Sequence, residues 1–436
     1  MKSILTICVF LFSLQCLVAQ QNTLITNVEI FNGKDEKTTK GHVLITNGKI
    51  TKVSGKSISV DKKTTTTIDG TGKFLMPGLI DAHYHAMFSS LSQVVLLTAD
   101  IGFVNLVAGK NAENLLMNGY TSIRDLGGPV FGLKQAIDKG ITKGPRIWPS
   151  GAFISQTGGH GDFRLPNEIP SDPSRGLSYG EQINAAAIAD SPDAVRLKTR
   201  EQLMKGASQI KLMAGGGVSS VYDPLDVTQY TVKEIEAAVE AAENWGTYVT
   251  VHAYTPRAIQ QAIQAGVKCI DHGQLVDEET VKLMVENNIF WSLQPFVDEG
   301  NTGGLNPESR AKQLEMYQGT DKAFALAKKY DMKIAYGTDV LFNKTKADQP
   351  NLQLLKMKRW FNNFEILKMA TSTNASLLAL SGKRSPYTGK LGVIEEDALA
   401  DLLILDGNPL KNLEVFKDKE NILFIMKNGE VYKNKL

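Results

Sequence analysis

From Thr231 onward the chain alternates two hydrophobic periods with little between them. TVKEIEAAVEAAENWG reads as an amphipathic helix, TYVTVHAY as a strand, TPRAIQQAIQAG as a helix and VKCIDHG as a strand; DEETVKLMVENN and IFWSLQPF add another pair. A strand that returns through a helix to the next strand makes parallel neighbours, so such units build either an open doubly wound sheet or a closed barrel. The punctuation agrees with the period. Thr231 and Glu234 fit a capping box, Thr255-Pro256 fits an N-cap with proline in the first turn, and Gly246 and Gly266 fit helix exits. No GxGxxG follows a first strand, which argues against a dinucleotide-binding sheet. Units of this size across residues 77–387 predict an α/β fold, a (β/α)8 TIM-like barrel with insertions.

The two ends read differently. VLIT and KITKVS flank Asn47-Gly48, and ILFIMK and EVYKN flank Asn428-Gly429, each a hairpin signal between apolar alternations. Neither end alone is large enough to bury a core. Residues 21–76 and 388–436 are therefore expected to pair into one small β-sandwich module.

Residues 1–20 predict a secretory signal: Lys2 precedes an uncharged run from Ile4 to Val18 that ends at Ala19. An uncleaved anchor would need a longer run, about 20 residues, and Ser-Leu-Gln before Cys16 matches a lipidation box poorly. The expected location is periplasmic or secreted, with no stable membrane insertion after cleavage. Cys8 and Cys16 lie in this leader, so Cys269 alone would remain, in the apolar run VKCI, as a buried core thiol. A net charge of +2 with both signs mixed throughout offers no basic stripe for a nucleic-acid partner.

Chemistry enters at the ends of the apolar runs. LIDAHYH carries His83 and His85, QIKLM carries Lys211, VTVHAY carries His252, KCIDHG carries His272 and KIAYGTD ends in Asp339. His83 and His85 are two apart, so on a strand both point to one face and can meet one cation. Four of the six histidines occupy such strand ends. In a parallel barrel these ends form a single face, where active sites are built. Lys211 would be costly as a buried free ammonium. It reads either as a lysine snorkelling from a strand end or as one carbamylated by carbon dioxide into an anionic ligand.

PGLIDAHYHAMF, Lys211, His252, His272 and GTD at Asp339 together resemble the lysine-bridged binuclear branch of the amidohydrolase superfamily, over nearly the whole chain. GGHGD (158–162), KLMAGGGVSS, VHAYTPRAI and IDHG resemble its prolidase-like dipeptidases and carboxypeptidases, grouped near imidazolonepropionase and ochratoxin-type amidases. The resemblance implies two divalent ions, zinc by donor chemistry. His83, His85 and Asp339 would hold one, His252 and His272 the other, with carbamylated Lys211 bridging and a shared water or hydroxide as nucleophile. It further implies that Asp339 shuttles the proton, that His160 polarises the scissile carbonyl, and that Tyr254 binds the substrate's terminal carboxylate. Without the resemblance, His160 reads as a loop histidine and Tyr254 as a core tyrosine.

The expected activity is cleavage of the amide of a dipeptide or N-acyl amino acid with a free C-terminal carboxylate. A cyclic amide, lactone or amidine hydrolase on the same scaffold is the alternative, and a silent binding protein a weaker one. Homo-oligomers are implied by the resemblance alone. Gly215–Gly217 lack the Lys-Ser/Thr of a P-loop and read as a sharp backbone turn. Arg124-Asp125 reads as a structural ion pair, Gln294 as lining the pocket, and Trp360 and Phe361 as helix packing. The run KTKADQPNLQLLKMKRWF after Asp339 departs from the subgroup pattern and leaves that wall of the pocket open.

Overall fold

The computed structural model describes residues 22–169, 176–300 and 305–436; the expected leader at 1–20 lies outside them. The βα pattern closes into a barrel. Its strands are Leu79–Tyr84, Tyr120–Asp125, Arg146–Pro149, Ile210–Met213, Val249–Ala253, Cys269–His272 and Phe290–Ser292, with an eighth position at the parallel bridge Trp291↔Ile334. The first three pair in parallel, as do the fourth to seventh. Phe153–Ser155 extends the second group by pairing Ile154 with Leu212, and the two groups meet where the Ser208 N–H donates to the Pro149 carbonyl at 2.7 Å. The ring closes where the Ala82 N–H donates to the Tyr336 carbonyl at 2.9 Å.

Helices cover the barrel as their periods require. Val232–Asn244 buries Ile235, Ala238, Val239 and Ala242 on one face, and the Glu234 carboxylate accepts from the Thr231 N–H at its start. Pro256–Gln264 starts at the Thr255 cap and buries Ala258, Ile259, Ala262 and Ile263. Gly246 and Gly266 follow these helices at φ +76° and +93°, which terminate each helix in the left-handed region. Trp360 stacks on Phe324 at 4.2 Å, and Phe361 meets the same ring edge-on, so both pack a helix as the sequence suggests.

The two chain ends share one eight-stranded sheet. The N-terminal part supplies Asn22–Ile30, Thr39–Thr46, Lys49–Ser54, Thr65–Asp69 and Phe74–Pro77; the C-terminal part supplies Leu402–Leu405, Ile422–Lys427 and Glu430–Asn434. They join where Phe74–Pro77 pairs antiparallel with Leu402–Leu405. Both Asn-Gly turns adopt positive φ at both residues, as a two-residue hairpin requires. They also touch each other: a Cβ on Gly429 would lie 2.7 Å from Gly48 Cα, so this contact tolerates only glycine. Arg146 on the third barrel strand pairs with Asp401 at 2.7 Å and ties the sheet to the barrel.

Candidate metal centre

The first barrel strand delivers His83 and His85 to the same end of the barrel, both buried, with ring centroids 5.4 Å apart. Asp339 reaches them from just beyond the eighth position. Its N–H donates to the His83 carbonyl at 2.8 Å, and its Oδ1 lies 3.4 Å from His83 Nε2 and 3.2 Å from His85 Nε2. Ligand atoms of these three residues lie within 4.8 Å of one another, a group that could hold a metal ion. Two backbone features make the approach possible. A Cβ on Gly337 would lie 2.4 Å from His83 Cβ, so only glycine lets the eighth position come this close. Asp339 itself sits at φ +46° and His272 at +76°, a region costly for residues with a Cβ and concentrated at functional sites.

His252 and His272 come from the fifth and sixth strands. Their rings are 4.4 Å apart, and His272 is 4.8 Å from His83. His252 Nε2 lies 3.0 Å from the Gly216 carbonyl, which can only accept, so the proton is on Nε2 and Nδ1 keeps a free lone pair. His272 Nδ1 is buried with no hydrogen-bond partner among the described residues, unusual for a structural histidine and suited to a ligand. Burial disfavours the imidazolium: it holds His83 and His252 well below the ordinary histidine range and brings His272 down to about 4. The imidazoles are therefore neutral, the form a metal needs.

Lys211 faces the same pocket from the fourth strand, but its Nζ is 2.6 Å from Asp271 Oδ2. Burial pulls its pKa below the usual lysine value, with Asp271 opposing. The other Asp271 oxygen lies 2.6 Å from Arg124 Nη2. This corrects the expected Arg124-Asp125 ion pair. Neighbours on a strand point to opposite faces, so Arg124 crosses the barrel interior to Asp271 while Asp125 accepts from the N–H groups of Ala86 and Gly127. Asp271 belongs to the site although no sequence motif marks it. The only signal was its position beside His272 in KCIDHG.

The GGHGD loop brings His160 over the second pair of imidazoles, stacked on His252 at 4.0 Å. Its Nδ1 is 2.7 Å from Ser220 Oγ, and burial lowers its pKa to about 3. Gly216 and Gly217 are required by close approach: a Cβ would lie 1.8 Å from the Pro224 carbonyl oxygen and 2.0 Å from the His160 ring, respectively. Tyr254 packs 4.9 Å from His252 and 5.1 Å from His272. The Gln294 amide nitrogen stands 3.2 Å from His83 Nδ1, behind the site. Cys269 is a buried free thiol, as expected. His83, His85, His160, Lys211, His252, Tyr254, His272 and Asp339 all line one pocket.

The profile of the amidohydrolase family matches residues 74–432. Ochratoxinase of Aspergillus niger is 32% identical over 420 residues, covering 92% of this chain and 84% of the relative. A crystallised prolidase in complex with N-methylphosphonate-L-proline is 34% identical with a TM-score of 0.86, over 95% of this chain and 100% of that one. A Xaa-Pro dipeptidase with methionine bound in its active site is 28% identical with a TM-score of 0.81, over 95% and 100%.

Proposed function

The chain belongs to the amidohydrolase family and is a hydrolase acting on amide bonds, and we propose that it binds two divalent ions, zinc by donor chemistry, and cleaves dipeptides or N-acyl amino acids that carry a free C-terminal carboxylate. The observation that carries this reading is the convergence of eight side chains, from five strand ends and one loop, on a single pocket. His83, His85 and Asp339 would hold one ion, His252 and His272 the other, with Lys211, carbamylated, between them. Such a pair supplies Lewis acidity and makes water a competent nucleophile at neutral pH. The donor set suits it: four imidazoles, of which burial keeps His83, His252 and His272 neutral, and a carboxylate whose pKa is drawn down against its burial by its histidine neighbours and Lys211.

The remaining steps belong to the chain's own groups. Asp339, an ionised carboxylate beside two imidazoles, takes a proton and returns it to the departing amine. His160 faces the carbonyl oxygen and stabilises its developing charge, and the Tyr254 hydroxyl donates to the terminal carboxylate. Carbamylation requires Lys211 to leave Asp271; Arg124 then remains as the counter-charge of that carboxylate. The uncharged run from Ile4 to Val18 supports export, with the enzyme working in the periplasm or the medium.

The test is hydrolysis of a mixed library of dipeptides and N-acyl amino acids, read by mass spectrometry with zinc-loaded and chelator-treated protein. Metal-dependent release of a C-terminal amino acid is expected. Turnover that survives the chelator, or turnover confined to cyclic amides and lactones, would overturn the reading.

A further inference from the structure

The pocket has two unlike walls. Beside His272 and Tyr254 stands Phe296, with Tyr317 against it, and Ser219 and Gln313 line the same pocket as neutral polar groups. Beside His85 and Asp339 the wall is built around aromatic rings, with Leu341, Asn343 and Lys346 lining the pocket as well. Phe88 stacks on His85 at 6.1 Å, and four rings close a circuit: Phe88 to Phe153 at 6.1 Å, Phe153 to Phe163 at 5.9 Å, Phe163 to Phe342 at 6.3 Å and Phe342 back to Phe88 at 6.2 Å. Three of these contacts are edge-to-face, the arrangement phenyl quadrupoles favour.

One member of the circuit is held there against its backbone preference. Phe342 sits at φ +52°, an outlier for a bulky residue, and is pinned by its N–H to the Phe88 carbonyl at 3.0 Å, with Asn343 N–H on the Ser89 carbonyl at 2.9 Å. Strain of this kind persists only where surrounding structure enforces it, and it is concentrated where a side chain must be aimed. Phe342 lies three residues after Asp339 and two before the run KTKADQPNLQLLKMKRWF that departs from the subgroup pattern.

The charges point the same way. Among the described residues, the acids lining the pocket are Asp339 and Glu299, and Glu299 lies 2.7 Å from Lys356 and 3.8 Å from Lys346. No lining carboxylate is thus left to receive an ammonium beside the aromatic wall. A charge placed there unpaired would be strongly disfavoured. Lys346 also lines the pocket, and its charge disfavours an incoming ammonium more than a neutral acyl group.

Resting on the hydrolase reading above, we infer that the pocket selects N-acylated amino acids whose acyl group is uncharged and aromatic over dipeptides with a free N-terminal ammonium. Phe163 and Phe342 make the choice. The carboxylate half of the substrate lies on the Tyr254 side, where the proposed function assigns it a hydroxyl partner, and the rings are left for the acyl group.

Three matched amides of one C-terminal amino acid separate the effects, run as proline, leucine and phenylalanine series. The 3-phenylpropanoyl amide differs from the phenylalanyl dipeptide only by the α-ammonium, and the acetyl amide lacks the ring. The expected kcat/KM for the phenylpropanoyl compound exceeds each of the others by about tenfold or more. Phe342→Gly, which keeps the backbone freedom and deletes the ring, and Phe163→Ala should each cut the phenylpropanoyl-to-acetyl ratio by about fivefold or more. A phenylalanyl dipeptide cleaved as well as its deaminated analogue, or an unchanged ratio in both variants, would overturn this inference while leaving the hydrolase reading intact. Absence of metal-dependent cleavage of all three compounds would sink both.

Discussion

Lys211 and Asp271 form a buried ion pair at 2.6 Å inside the barrel, and Arg124 closes on the other carboxylate oxygen at the same distance. One anion thus holds two cations in a region of low dielectric. Replacing Asp271 with Asn leaves both without a counter-charge, which costs on the order of 3–5 kcal/mol when one partner of a buried pair is removed. The expected result is a lower urea midpoint for metal-free protein together with reduced zinc content, since His83 stands 3.5 Å from this carboxylate. Wild-type values for both in the Asp271→Asn protein would remove Asp271 from the site.

Asp339 is assigned two tasks, holding an ion and moving a proton. Asn keeps the size and loses the charge, so Asp339→Asn should lower kcat by about 100-fold or more, the scale of a lost general acid–base group. Zinc content, read in parallel, apportions the loss. Full zinc with low kcat assigns the defect to proton transfer, low zinc assigns it to ligation, and full activity contradicts both.

The outline was legible because its signals are local. Asn47-Gly48 and Asn428-Gly429 specify hairpins from two residues each, and His83 and His85 specify a shared face from the pleat of a single strand. What could not be read depends on register across the barrel. The partner of Arg124 is Asp271, far along the chain rather than the adjacent Asp125, because the choice is made by which strands face each other across the interior. The contact between the two hairpin turns through Gly48 and Gly429, and the seat of His160 against Ser220 and Gly217, have the same character: each needs two loops placed by the closed fold. The strained Phe342 has no sequence signal, since the run that departs from the subgroup pattern begins only at Lys344.

The neutral imidazoles set the acid response of metal-free protein. Burial depresses His83, His160, His252 and His272, so below the unfolded value of about 6.5 the unfolded chain takes protons that the folded chain refuses. Stability then falls as pH falls, by up to about 1.4 kcal/mol per unit for each group. Asp81 and Asp125 oppose this, since burial pushes their carboxyls up to about 7 and the folded chain takes their protons first. Four groups against two leaves the unfolded chain ahead. Chelator-treated protein should lose urea resistance between about pH 6.5 and pH 4; a midpoint that holds or rises over that window would contradict the buried neutral assignment.

Gly217 tests whether the seat of His160 matters to turnover. It has no left-handed φ, so alanine fits its backbone, and the three atoms nearest the added Cβ all belong to the His160 ring, the closest at 2.0 Å. The ring must move from its stack on His252 and its contact with Ser220. A shift near 1 Å in a positioned catalytic group costs on the order of 100-fold, so Gly217→Ala should lower kcat while KM and the thermal midpoint stay close to wild type. Gly216→Ala supplies the contrast. Its Cβ would lie 1.8 Å from the Pro224 carbonyl oxygen, a backbone atom with no rotamer to change, and the strain there should appear as lost stability. If both variants lose activity only in step with stability, the loop is a packing element and His160 loses its assigned role; if Gly217→Ala alone separates kcat from stability, the ring's position is what the glycine protects.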